Sequence, residues 1–539
     1  MTDIETTLDC LHVLSPRPLG PQEEYGLETL MSLAGIPLDI RWAGPGSAGA
    51  IRPGAPVLAY LPPGEALGGG LERFHTLRVP RTAGGEAPGT WAGNDLGRFG
   101  VAWVPAGCAI AGPAGGLDFP RAAFELASGA FEARRENGTK LGSAWTACGQ
   151  YPPLEPGVEI MAEAFAAALG QTFAAAGLPL PRIAKQPQGR TMTLLLALDF
   201  DSYRKNVLER AKQAFGLSRM AVNTVRHGSA SAARLAGHLL QQAPGLLRGG
   251  IYKGIFAARP WLEERGLRAS FNVTVSLPPA GETRLGRFRR RVYDPDYALE
   301  AMPGHCELLA EMAKAGHEVG LQYGAFSCDG DQEEILKQRV ELERLLGVSL
   351  RTGRHHCLTH SVSRLPGLLD RAGMELDTSP AWLDVSGYRY GCVSPCQAFD
   401  FQKAKTANAL QVPTPLWDGV LCSRLRSQDD LRQEVERVVS VAVKYGGTVA
   451  SGVHPRAFGV RDYYMPHMET FVLALETALR LGAKTATCAE FNDWWRARGR
   501  VRAALCGTGG CELVLKEASG AEVVLLEGNE VPFTAVRMI

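Results

Sequence analysis

Between residues 190 and 498 short apolar runs alternate with longer stretches in which apolar positions recur at helical spacing. The short runs predict strands over 193–199, 269–275, 318–322, 350–353, 374–377, 410–413, 448–452 and 485–488. The longer stretches predict amphipathic helices over 306–315, 332–346, 364–372, 429–445 and 468–481. Strict strand–helix alternation implies parallel strands joined by crossover helices. About seven or eight such units fit a distorted (β/α) barrel better than a doubly wound sheet. No Gly-rich phosphate loop follows the first strand, which weakens a nucleotide-binding reading.

The flanks have other textures. Residues 1–188 are rich in Gly, Pro and Ala and weakly periodic, with strand-like pieces at 37–42 and 56–61. Met161, Phe165, Leu169 and Phe173 mark a helix over 158–175. This region is expected to be an α+β N-terminal domain, and 179–189 (PLPRIAKQPQG) reads as a linker to the barrel of residues 189–500. From 501 to 539, CELVLKE, AEVVLLEG and NEVPFTAVR read as strand–turn–strand–turn–strand, a small antiparallel β appendage.

Charge narrows the function. Lys plus Arg is 57 and Asp plus Glu is 56, a formal net charge of +1. No basic face is left over to neutralise phosphates, so nucleic acid is not an expected partner. No apolar stretch reaches the roughly 18 residues of a membrane span. The N-terminus, MTDIETTLDCLHVLSP, has acids where a secretory signal has a basic segment, so a cytoplasmic location is expected. The 12 Cys are then expected to be reduced thiols. The closest pairs, Cys392/Cys396 and Cys506/Cys511, lack C-x-x-C spacing. Hydrophobic residues make up 45%, enough for a large core, and 62 Gly with 34 Pro make the chain loop-rich.

In a parallel barrel the chemistry lies at the C-terminal ends of strands. The first strand ends in LDFDS, so Asp199 and Asp201 point the same way from a very apolar run. Two such carboxylates need a metal, a shared proton or a basic partner. The alternative is that Asp201 or Ser202 caps a helix over 203–215. The third strand leads to Gln322 and Tyr323. The fourth leads to Arg354, His355 and His356, with His360 four residues beyond His356 at a spacing that could bind metal on a helix. Later strands deliver Asp418 and His454. Asp199, Asp201, Arg354, His356, Asp418 and His454 would then share one face, an acid/base set suited to hydrolysis of an amide or ester.

In this order the motifs resemble a polysaccharide deacetylase of the NodB-homology group (carbohydrate esterase family four), in a branch with an extra N-terminal domain. LDFDS resembles its Asp pair, AGHEVGLQY its second motif, RTGRHHCL its Arg motif, VPTPLWDGVL the stretch before a later Asp, and VASGVHP its terminal His motif. LDFPRAAFELASGAFEARR weakly resembles a helical motif of the extra domain. The resemblance implies that Asp199 is the general base, Arg354 orients it and His454 is the general acid. It implies a divalent metal, zinc for choice, on Asp201, with His356 as the second candidate ligand. Tyr323, Trp417 and Asp418 would bind a carbohydrate, with Phe326 and Trp382 also near the mouth. The chain departs from the family where Gln322 and Phe326 replace the usual metal-binding histidines, and Leu198 replaces a frequent His before Asp199. The expected function is removal of an N-acyl group from a sugar, in surface-glycan biosynthesis. The alternatives are an inactive glycan-binding or scaffold protein on the same fold, and a metal-independent hydrolase of another small C–N substrate.

Overall fold

The computed structural model describes residues 8–44, 47–62, 71–82, 91–96, 101–105, 117–134, 154–187, 189–201, 204–205, 250–251, 254–275, 277, 282–294, 299–325, 327–328, 332–358, 360–424, 428–455, 458, 467–506, 511–517, 524–526, 531, 533 and 535–538.

All eight strands expected in the middle region form, and their pairing is parallel. Ala197–Phe200 pairs with Ser270–Thr274, which pairs with Glu318–Tyr323, then Thr352–His355, Leu376–Asp377 and Lys405–Gln411. Cys396–Asp400 adds an antiparallel edge that the sequence pattern had not indicated. A second sheet runs Leu416–Trp417, Thr448–Gly452, Thr193–Leu195, Lys484–Ala486, again parallel. The sheets meet along the first strand and beyond the sixth. Leu198 bridges Val453, and Ala450 N–H donates to the Pro413 carbonyl at 2.8 Å. The strand pieces Thr193–Leu195 and Ala197–Phe200 are buried throughout, as expected of parallel strands covered on both faces. Helices Pro303–Lys314, Glu334–Leu346, Leu365–Ala372, Gln428–Lys444 and His467–Arg480 supply the crossovers, close to the expected spans. One expectation fails beyond the first strand. Arg204–Lys205 is extended and pairs with Gly250–Ile251 instead of opening a helix. The rest of that expected helix lies outside the described residues.

The N-terminal region is more regular than its weak periodicity suggested. Its main sheet is parallel, ordered Asp39–Ala43, Cys10–Leu14, Pro56–Leu61, His75–Pro80. Helices Pro21–Ala34, Phe119–Ala127 and Gly157–Ala175 join its core. Among the described residues only Trp91–Leu96 and Val101–Pro105 pair antiparallel within this region, so α/β describes it better than the expected α+β. A Cβ on Gly26 would stand 1.8 Å from the Pro120 carbonyl oxygen, so two of these helices meet backbone to backbone. The expected linker is no loose tether. Leu180, Ile183 and Gln186 are buried, and Gln186 donates to Gly446 and Gly447 carbonyls of the middle region.

At the C-terminus Arg502–Cys506 and Glu512–Lys516 pair antiparallel, but Ala535–Met538 runs parallel to Glu512–Lys516, so the appendage is mixed. Val501, Ala503, Leu505, Leu513 and Leu515 are buried in the same apolar cluster as the N-terminal helices. Among the described residues no helix is long and apolar enough to cross a membrane.

Candidate functional site

The polar residues at the strand ends converge. Alternation along the first strand sends Leu198 and Phe200 into the apolar core and Asp199 and Asp201 the other way, both buried. Asp199 is held from two other strands of the sheet. Arg354 donates through Nη1 to both of its oxygens at 3.0 and 2.9 Å, and Asn272 Nδ2 donates to Oδ1 at 2.9 Å. The Arg354 guanidinium is itself fixed. Nε donates to the Thr378 hydroxyl at 3.0 Å, and Nη2 to the Thr414 hydroxyl at 3.2 Å and the Ser451 carbonyl at 2.7 Å. Gly452 makes room for this, because a Cβ there would lie 3.3 Å from Arg354 Nη1 and 2.8 Å from the Trp417 ring.

Asp201 is the meeting point of the second half of the site. His454 Nε2 lies 2.8 Å from its Oδ2, Gln322 Nε2 donates to Oδ1 at 2.7 Å, and His356 Nε2 is 3.5 Å from Oδ1. Behind His454, Asp418 sits 2.8 Å from Nδ1 and also accepts from the His454 backbone N–H at 3.0 Å. Behind His356, Asp294 sits 2.7 Å from Nδ1 and is held in turn by the Ala325 N–H. Each imidazole is therefore oriented by one carboxylate and turned toward another. Burial works against charge on the His356 ring, but Cys357, Asp201 and Asp294 around it hold its pKa well above the ordinary histidine value.

The expected residues divide clearly. Asp199, Asp201, Arg354, His356, Asp418 and His454 come together, as does Gln322. Asp418 is fully buried behind His454, so it is placed to hold the imidazole and not to touch a sugar. Tyr323, expected at the mouth, is fully buried on the opposite side of the strand from Gln322, against Gly353. Trp382 is likewise buried, with the Arg389 guanidinium 5.5 Å from its ring. Trp417 is half-buried beside Gly452. Phe326 lies outside the described residues. His360 does not join His356, because its Nε2 lies 3.1 Å from the Tyr390 hydroxyl. His355 also points away, and burial pushes its pKa down to about 4.

Asn272 and Asp294 were missed. Asn272 had a signal, since SFNVT alternates polar Ser270, Asn272 and Thr274 with apolar Phe271 and Val273, which puts the amide on the face opposite the apolar core. Asp294 had none, because it follows a helix distant in sequence from every motif.

The side chains do not fit a zinc-type site. Zinc needs thiolate, imidazole or carboxylate donors, usually four-coordinate with three or more from protein. Among the described residues no group of three or more His, Cys, Asp or Glu is arranged to hold a metal ion. Gln322 accepts from the Thr274 hydroxyl through Oε1, which leaves its N–H₂ facing Asp201. An amide donor there fills with positive hydrogens the place where a cation would need a lone pair.

No protein-family model matches the chain, and no curated protein is similar to it. Among solved structures, the chain is similar to Puue allantoinase (12% identity, TM-score 0.36, covering 67% of this chain and 98% of that one). It is similar to the chitin deacetylase from the fungal pathogen Colletotrichum lindemuthianum (10% identity, TM-score 0.28, covering 57% and 89%). It is also similar to BA3943, a CE4 family pseudoenzyme from Bacillus anthracis (10% identity, TM-score 0.24, covering 57% and 67%).

Proposed function

We propose that the chain is a hydrolase that removes an N-acyl group from a sugar, with a distorted (β/α) barrel as its framework and the strand-end cluster as its site. One observation carries this reading: an imidazole, His454, lies between Asp418 and Asp201, and Asp199, two residues before Asp201 on the same side of the chain, is locked by a guanidinium. A carboxylate offers about four acceptor positions. Asn272 and Arg354 fill three on Asp199 and leave room on Oδ2 for a water.

In this reading Asp199 takes a proton from that water as its oxygen attacks the acyl carbonyl. The C–N bond then breaks, and His454 passes a proton from Nε2 to the departing amine while Asp418 keeps the ring in place. Half-buried Trp417 is the aromatic beside Gly452 that would stack on the sugar. No step calls on a metal.

A second reading, a glycan-binding protein without turnover, is favoured by the close hold of His454 and Gln322 on Asp201. The two readings separate in one experiment. The purified chain is incubated with an N-acetylglucosamine oligomer, and released acetate and equilibrium binding are both measured. Acetate release that is lost in Asp199→Asn supports the hydrolase. Saturable binding with no acetate sinks it in favour of the binding protein.

A further inference from the structure

We propose that Cys392 and Cys396 form a redox modification site, a dithiol that a two-electron oxidant such as hydrogen peroxide closes to a disulfide. The sulfurs are 2.9 Å apart. Reaching S–S bond length needs an approach of only about 0.9 Å. Both side chains are buried within one apolar cluster. Cys396 also lines a cavity of about 740 Å³ bordered by Tyr25, Gln397 and Trp495, which gives a small oxidant a route to one of the two sulfurs.

The turn between the cysteines is a junction. Val393 and Ser394 N–H groups donate to Glu159 Oε1 at 2.9 and 2.8 Å, which ties the turn to helix Gly157–Ala175. The Val393 carbonyl accepts from Thr448 N–H at 2.8 Å, which ties it to strand Thr448–Gly452. The turn is entered through two successive positive-φ residues, Tyr390 (φ 68°) and Gly391 (φ 63°). A disulfide would close a small ring over this junction, not across a surface loop.

The chemistry balances in two steps. The Cys396 sulfur attacks one peroxide oxygen; the O–O bond breaks, water leaves and a sulfenic acid forms. The Cys392 sulfur then attacks the Cys396 sulfur; the S–O bond breaks and a second water carries off the remaining proton. Two electrons pass from the sulfurs to the peroxide. Burial first, and the adjoining Cys396 second, push the Cys392 thiol up. Cys396, on the cavity side, is the sulfur an entering oxidant meets first.

The test uses the full-length folded chain. It is treated with hydrogen peroxide, then denatured, alkylated and digested with trypsin, so that the peptide between Arg389 and Lys403 carries both cysteines. The expected result is that peptide lighter by two hydrogens and free of alkyl groups, while fully buried Cys488 is alkylated as in the untreated chain. Both cysteines alkylated, or Cys396 carried on to sulfinic acid with Cys392 intact, would overturn the proposal. In Cys392→Ser the resolving sulfur is gone, and a sulfenic acid at Cys396 is expected to be trapped by dimedone. Trapping equal to that in the untreated chain would also overturn it.

Discussion

Arg354–Asp199 and Arg389–Glu132 are both buried guanidinium–carboxylate pairs, with bonds of 2.9 and 2.6 Å. Their surroundings differ. Arg389 lies between the rings of Trp382 and Tyr390, and its pair joins the N-terminal helices to the middle region. Arg354 lies among hydroxyls and carbonyls, and its carboxylate partner neighbours a cluster in which His454 keeps some exposure. A buried ion pair alone does not mark a site. What separates the two is whether the pair adjoins groups that can still exchange a proton with something outside.

The comparison can be broken most sharply through catalysis. Asp199→Asn and His454→Ala are each expected to lower kcat for deacetylation by about 10²–10⁴-fold. Arg389→Met should leave kcat of the folded fraction unchanged. A large kcat loss in Arg389→Met would erase the distinction. Next in size is stability. Arg389→Ala strands a buried carboxylate and is expected to cost about 3–5 kcal/mol in urea unfolding. Replacing both partners, Arg389→Met with Glu132→Leu, should recover most of that loss.

The two regions also respond to pH with opposite sign. Burial pushes Glu159, at the junction, from 4.5 up to about 7. Its folded form therefore holds a proton the unfolded chain has lost, and stability that is full below about pH 4.5 is expected to fall as pH rises through 7. His355, in the wall behind the site, is pushed by burial from 6.5 down to about 4. There the unfolded chain takes up the proton first, so stability full above 6.5 falls as pH drops toward 4. Each effect is at most about 3 kcal/mol. Urea midpoints across pH should lose the first dependence in Glu159→Gln and the second in His355→Gln. The smallest effect is expected at Tyr323, whose buried hydroxyl has no hydrogen-bond partner among the described residues. Tyr323→Phe should raise stability by about 1 kcal/mol and leave KM alone. A raised KM would return this ring to the sugar site.

The middle region was legible because its strands are short apolar runs between amphipathic helices, a pattern that hydrophobicity alone specifies. The strand-end rule then gathered Asp199, Asp201, Arg354, Asp418 and His454 without any contact information. Tyr323 went astray for one reason. Position on a strand end says which residues are near the site, but a single residue's shift decides whether a side chain meets ligand or core. The N-terminal sheet was legible only in part: 37–42 and 56–61 read as strand-like pieces, whereas Cys10–Leu14 and His75–Pro80 did not. Asp294 stayed hidden because its partner, His356, is found only by folding.

The strand that carries Asp199 changes neighbours part-way. Its first half, Thr193–Leu195, lies between Thr448–Gly452 and Lys484–Ala486, and its second half pairs with Ser270–Thr274. A ribosome delivers these partners almost a whole middle region apart. The first strand emerges with one flank bare and stays so until the last is made. Pairings this distant in sequence form slowly and expose apolar edges meanwhile. Asp199 is thus among the first residues translated in its region, while the strand that carries it is among the last to gain its full set of neighbours. Truncations before Lys484 should therefore yield chains that depend on chaperones, however intact their motifs.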